Sequence, residues 1–155
     1  MRILAIDPGP VKSSGCFLVD DKPNHFFTME NERFLGIKYD FLDVIVIEKV
    51  ACYGMAVGES IFETCVWTGR FMQEFGKWLT GYSYSTVPII RMTRADVKLH
   101  LCGTKRAKDA NVIQALKDRF GEKGTKKKPG VLYGIKKDEW QALAIAVTYA
   151  EKICK

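Results

Sequence analysis

The chain lacks most of the features that place a protein quickly. Only two of its 155 residues are histidine, His25 and His100, so a His-rich metal site is not expected. Its five cysteines (Cys16, Cys52, Cys65, Cys102 and Cys154) are odd in number, widely spaced and form no C-x-x-C. That excludes a disulfide framework and a structural zinc site, and leaves them as small apolar residues in a reducing compartment. No apolar run approaches the roughly 18 residues that a membrane span needs. The opening Met1-Arg2-Ile3-Leu4-Ala5-Ile6-Asp7 is not laid out as a signal peptide, because its apolar stretch is short and Asp7 interrupts it. There is no P-loop G-x-x-x-x-G-K-[ST] and no G-x-G-x-x-G. Nucleotide-binding enzymes of the actin-like ATPase type share an early Asp near glycines, but they need a second half that 155 residues do not accommodate. No internal repeat and no domain linker is visible, and the expectation is one domain over residues 1–155.

What is present is ordinary in bulk and informative in arrangement. A hydrophobic fraction of 47% and a charged fraction of 27% suit a globular protein with a full core. The net charge of +6 favours a polyanionic partner.

Residues 2–6 are a short apolar run stopped by Asp7-Pro8-Gly9-Pro10, which reads as a buried strand ending in a turn. Residues 14–19 and 25–29 read as two more strands, the first making a hairpin with residues 2–6. Val44-Ile45-Val46-Ile47, between Asp43 and Glu48, is the strongest strand signal in the chain. Residues 59–79 switch to helical spacing through Ile61, Phe62, Cys65, Val66, Gly69, Met72 and Phe75. A short strand over 86–91, placed at an edge by Pro88, precedes helices over about 93–101 and 107–120. Residues 121–130 contain no apolar side chain and read as a flexible basic loop. A last helix over 138–153 opens on Asp138, a good N-cap, and carries Trp140, Leu143, Ala144, Val147 and Ala150 as an apolar stripe. Three strands, a short helix, a strand and then alternating elements make an α/β fold with a mixed five-stranded sheet flanked by helices.

Three acids fall at element ends: Asp7 closes the first strand, Glu48 closes the apolar part of the fourth, and Asp138 opens the last helix. Each alone has a bland reading as a turn residue or a cap. If the first and fourth strands are parallel neighbours, Asp7 and Glu48 emerge at the same end of the sheet, where open α/β sheets place their sites. Carboxylates brought together repel unless a cation joins them, and oxygen ligands suit Mg²⁺ or Mn²⁺. Two such ions about 3.5–4 Å apart can drive in-line phosphodiester hydrolysis.

At this point the sequence resembles a family. Ile3-Leu4-Ala5-Ile6-Asp7-Pro8-Gly9 is similar to the opening strand of RuvC-type Holliday junction resolvases. Ile45-Val46-Ile47-Glu48-Lys49-Val50 resembles their second acidic strand, and Asp138-Glu139-Trp140-Gln141-Ala142-Leu143-Ala144-Ile145-Ala146 their C-terminal helix. The chain order of the three motifs also matches. Residues 54–75 resemble bacteriophage members, those of lactococcal phages in particular. The resemblance implies an RNase H-like fold of the retroviral integrase superfamily. It further implies a homodimer and a metal-dependent endonuclease that nicks strands of like polarity in four-way junctions, forks or flaps. The cofactor implied is Mg²⁺, with Mn²⁺ as a substitute, as two ions. The location implied is the cytoplasm, that of the host cell if a phage encodes the protein, with no membrane partner.

The resemblance carries over to residues as follows. Asp7, Glu48 and Asp138 match three metal-binding positions. The fourth position, one helical turn after Asp138, is usually acidic and here is Gln141, which offers only a neutral carbonyl oxygen. Either Asp138 takes the main helix role or Glu139 substitutes, although Glu139 lies about 100° further around the helix. The lost charge leaves a second expectation open: a protein that binds junctions and cuts them weakly or not at all. Lys98 falls where the family has a lysine near the scissile phosphate, and Lys108 matches another such lysine with a one-residue shift. Lys105 and Arg106 flank it, and Lys123 with Lys126, Lys127 and Lys128 precede the last helix, as phosphate contacts or as solvated charges. Some relatives stack an aromatic residue at the junction centre three positions after the second acid. Here that place is Ala51, with Tyr53 as a nearby candidate.

Overall fold

The structure is a computed structural model and describes residues 1–39, 41–52, 54, 56–77 and 86–153. The candidate wedge Tyr53, together with Met55 and Trp78, lies outside them. The elements are β1 (Arg2–Asp7), β2 (Lys12–Val19), β3 (Lys22–Glu30), α1 (Asn31–Leu35), β4 (Val44–Lys49), α2 (Glu59–Phe75), β5 (Ile89–Thr93), α3 (Arg94–Cys102), α4 (Asp109–Phe120) and α5 (Glu139–Ile153). They form one five-stranded sheet in the order β3-β2-β1-β4-β5. β1–β2 and β2–β3 are antiparallel, whereas β1–β4 and β4–β5 are parallel. This is the mixed sheet expected from the hairpin at the start and the helical crossovers that follow.

The sheet separates two cores. On one face Ile3, Ala5, Cys16, Val44 and Val46 pack with Leu143, Ala144 and Val147 of α5. On the other, Leu4, Ile6, Ile45 and Ile47 meet Phe34, Phe71 and Phe75. The β-branched run of β4 is buried on both faces, as a central parallel strand requires. α5 is buried around its whole circumference over Glu139–Thr148, lying across the sheet beneath α3 and α4. No helix among the described residues is long and apolar enough to cross a membrane.

Several boundaries differ from the expectation for local reasons. The edge strand β5 starts after Pro88 instead of containing it, although the Pro88 carbonyl still accepts from the Ile45 N–H at 3.0 Å. α4 starts at Asp109 because Lys108 has extended backbone, and its N–H donates to Asn111 Oδ1 at 2.9 Å. Residues 121–130 are a closed turn: Thr125 and Lys128 exchange backbone bonds of 3.0 and 3.1 Å, and Gly130 N–H donates to the Lys123 carbonyl at 2.9 Å. Lys123 turns inward, donating to the Ile135 carbonyl at 2.6 Å with its ammonium 5.2 Å from the Trp140 ring centre.

Candidate metal and nucleic-acid site

Strand register fixes the first two acids. Ile6 pairs with Ile47 in the parallel β1–β4 ladder, so the next residues, Asp7 and Glu48, lie side by side at the carboxyl ends. Side-chain alternation sends both to the α5 face, because Ala5 and Val46, two residues earlier, belong to that core. The backbone after Asp7 is held by a buried polar network. Gly9 N–H donates to Ser13 Oγ at 3.2 Å, Ser13 Oγ donates to Asn31 Oδ1 at 2.7 Å, and Asn31 Nδ2 donates to the Gly9 carbonyl at 2.9 Å. A side chain at Gly9 has no room, since a Cβ there would lie 2.3 Å from the Lys12 carbonyl oxygen. Sequence patterning does not single out Ser13 or Asn31; their buried polar side chains are recognisable only once β2 and α1 flank the loop.

The two acids strain each other. The Asp7 carboxyl is pushed up to about 8, first by burial and then by the charge of Glu48 and a hydrogen bond with it. Asp138 adds to the rise and Arg94 opposes it. Asp138 is thus near enough to act on Asp7, but it is exposed and its carboxylate has no partner among the described residues. Its carbonyl accepts the Ala142 N–H at 3.2 Å, so it does open the helix. No three His, Cys, Asp or Glu side chains among the described residues stand close enough together to hold a metal.

The other helix candidates separate. Glu139 is buried and both its oxygens are engaged: Oε1 accepts from Thr28 Oγ1 at 3.1 Å and Oε2 from the Lys136 N–H at 2.7 Å. Thr28 is in turn 2.8 Å from Ser14 Oγ, and Ser14 pairs with Asp7 across the β1–β2 ladder. Gln141 is buried, with no side-chain hydrogen bond among the described residues.

Arg94 and Asp109, which the sequence does not single out, complete the surroundings. Arg94, the first residue of α3, places Nε 3.2 Å from Glu48 Oε1 and a terminal nitrogen 4.0 Å from Asp109 Oδ2. Lys98, one turn later, lies 3.1 Å from Asp109 Oδ1. The available signal was positional: β5 neighbours β4, so the helix that follows β5 begins beside Glu48. A cleft of about 380 Å³ opens over the acids, lined by Asp7, Pro8, Glu48, Lys49, Val50, Ala51, Ile61, Thr64 and Arg94. Arg106 and Lys108 line a second surface hollow of about 510 Å³ with Cys102, Thr104, Ala107 and Asn111, while Lys105 is exposed beside it. Lys126, Lys127 and Lys128 are exposed on the closed turn. A cavity of about 190 Å³ at the opposite end of the sheet is lined by Leu18, Asp21, Arg119, Phe120, Val147, Ala150 and Glu151.

The donor set fits a hard divalent cation in kind. Two carboxylates meet side by side, a third acid is within electrostatic reach, and among the described residues neither sulfur nor imidazole lines the cleft. Among the described residues the buried Nε of Arg94 has no well-directed acceptor, so the positive charge beside Glu48 satisfies the place incompletely.

The architecture is RNase H-like, a mixed five-stranded sheet flanked by helices. No protein-family model matches the sequence, and a search of curated proteins finds no match. Among solved structures, the chain is similar to Thermus thermophilus RuvC, with 17% identity, a TM-score of 0.65, and coverage of 99% of this chain and 96% of that one. It is also similar to T. thermophilus RuvC in complex with a Holliday junction substrate, with 18% identity, a TM-score of 0.71 and coverage of 99% and 94%.

Proposed function

We propose that residues 1–155 act as one RuvC-like nuclease domain, a metal-dependent endonuclease that nicks Holliday junctions and other branched DNA. The observation that carries this reading is the placement of Asp7 beside Glu48 by the β1–β4 register, with the charge of Asp138 acting on the same point. The likeness to a RuvC structure bound to a Holliday junction supports it.

In this reading Asp7, Glu48 and Asp138 hold Mg²⁺ or Mn²⁺, as one or two ions. Bound there, the ion supplies Lewis-acid stabilisation of charge on a phosphodiester and relieves the repulsion between the carboxylates. Glu139 serves to position α5 instead of ligating, because its oxygens are committed to Thr28 and Lys136. Lys98 contributes positive charge toward the cleaved phosphate after leaving Asp109. Lys105, Arg106, Lys108 and Lys126–Lys128 meet phosphates outside the cleft, and Tyr53 remains the candidate for stacking on bases. The exposed Phe62 and Val66 of α2 supply the face of a homodimer. The phage branch is favoured by the resemblance of residues 54–75, and the cytoplasm, of a host cell in that case, is the expected location.

A synthetic four-way junction incubated with the protein and Mg²⁺, then Mn²⁺, tests the reading. Paired nicks that Asp7→Asn abolishes are expected. A second reading, junction binding with weak or no cleavage, is favoured by the neutral Gln141 and by the pairing of Glu48 with Arg94. Tight binding without nicks in either metal would establish that second reading in place of the first.

A further inference from the structure

Arg94 stands between two anchors. Its Nε lies 3.2 Å from Glu48 Oε1, but off axis, so this buried N–H has no hydrogen-bond acceptor among the described residues. A terminal nitrogen is already 4.0 Å from Asp109 Oδ2, whose other oxygen is held by Lys98 at 3.1 Å. Asp109 is half exposed and Glu48 nearly covered, with side-chain exposures of 50% and 14%. The guanidinium thus already lies between the inner acid and the outer one.

From this geometry, and resting on the reading of Asp7 and Glu48 as metal ligands, we infer that Arg94 is a resident counter-cation of the carboxylate pair, which a divalent ion displaces from Glu48 onto Asp109. The charges decide the exchange. A guanidinium brings one positive charge to the paired carboxyls of Asp7 and Glu48, and a divalent ion brings two. Guanidinium is weakly hydrated and delocalised, so it sits beside a covered carboxylate at low cost, and its poorly directed bond to Glu48 makes departure cheap. Asp109 receives it in a more solvated place. Arg94 is therefore a positioning residue that acts through Glu48: it steadies the two acids before metal arrives and raises the metal concentration needed to load them.

Calorimetric titration of the full chain with Mn²⁺ alone, without DNA, tests this. Removing the competitor by Arg94→Gln should tighten Mn²⁺ binding about three- to tenfold, the range of a partly covered ion pair. Arg94→Lys keeps the charge and should stay within about twofold of the unchanged protein. Asp109→Asn removes the landing place and should weaken binding about two- to threefold, an opposite sign that a loss of packing at Arg94 does not produce. Because Asp109 is half exposed, that variant should fold even if Arg94→Gln does not, and thermal unfolding in EDTA checks both. Unchanged or weaker binding by Arg94→Gln overturns the inference, as does unchanged binding by Asp109→Asn. Asp7→Asn, run beside them, separates the premises: if it binds Mn²⁺ as tightly as the unchanged protein, the metal-ligand reading itself fails.

Discussion

Replacing Asp7 by Asn exchanges one oxygen for an amide and removes a charge that this fold holds at a cost. The carboxyl binds its proton more tightly in the folded chain, at about 8 against an ordinary 3.8, because it is covered and because Glu48 lies beside it. Between those values the native state carries a proton that the unfolded chain has released, so metal-free stability falls as pH rises from about 4 to about 8. At about 1.4 kcal/mol per pH unit the ceiling is about 6 kcal/mol over the whole interval and about 4 kcal/mol above pH 5, and solvent relaxing around the ionised pair at the cleft mouth reduces the expected loss between pH 5 and pH 8.5 to about 1–3 kcal/mol. Asn at position 7 has no proton to lose. Urea unfolding in EDTA at pH 5 and pH 8.5 should therefore show the unchanged protein losing this amount relative to Asp7→Asn, which becomes the more stable chain at the higher pH. Adding Mg²⁺ at pH 8.5 should recover the unchanged protein and leave Asp7→Asn where it was. Parallel pH dependences, or equal rescue of both chains by Mg²⁺, would refute the claim that two covered carboxylates confront each other at this point.

Glu139→Ala should cost about 1–3 kcal/mol in urea unfolding, since it strands the Lys136 N–H and leaves Thr28 Oγ1 with Ser14 alone, while leaving Mn²⁺ affinity within about twofold; a large loss of metal affinity would make Glu139 a ligand after all. Lys123→Ala should lower stability by about 1 kcal/mol without changing the salt slope of junction binding, whereas replacing Lys126, Lys127 and Lys128 together should flatten that slope by about two to three. Equal slopes for both variants would show that the closed turn does not face phosphate. Gln141→Asp, which restores a charge one turn after Asp138, should tighten Mn²⁺ binding about tenfold at neutral pH, and an unchanged titration would place that side chain away from the ion.

The sequence makes the element types and their order plain, because the relevant signals are local. The continuous β-branched run of 44–47, the helical spacing after Gly58, and the apolar stripe of the last helix each lie within a short stretch of chain. Asp7 and Glu48 were legible for a related reason: each ends an apolar strand, and parallel neighbours deliver their ends to one place. Less legible were side chains whose partners are remote. Thr28 and Glu139 meet across 111 residues, and Asn31 reaches back 22 residues to Gly9. Arg94 reads as an unremarkable helix start until β5 is known to adjoin β4. The basic segment 121–130 is the loop its composition indicates, but composition does not report its closure. Its turn is tied by backbone groups, and Lys123 leaves the solvent for the face of Trp140.

The same contrast separates the three acids by the way each is held. Asp7 and Glu48 are set by a hydrogen-bonded ladder, so their mutual repulsion cannot be relieved by moving apart; it is met with a proton and with Arg94. Asp138 follows Lys137, whose φ of 28° is unfavourable for a residue with a side chain, and it precedes a helix anchored by Glu139 rather than by itself. Its own carboxylate is exposed and uncommitted among the described residues. Under the proposed function, a cation entering between the sheet acids meets two carboxyls already side by side, and the exposed Asp138 is the third that would have to turn toward it. Ligation by the helix then adds affinity at the cost of ordering a single rotamer, and its loss in Asp138→Asn should weaken Mn²⁺ binding less than the loss of either sheet acid.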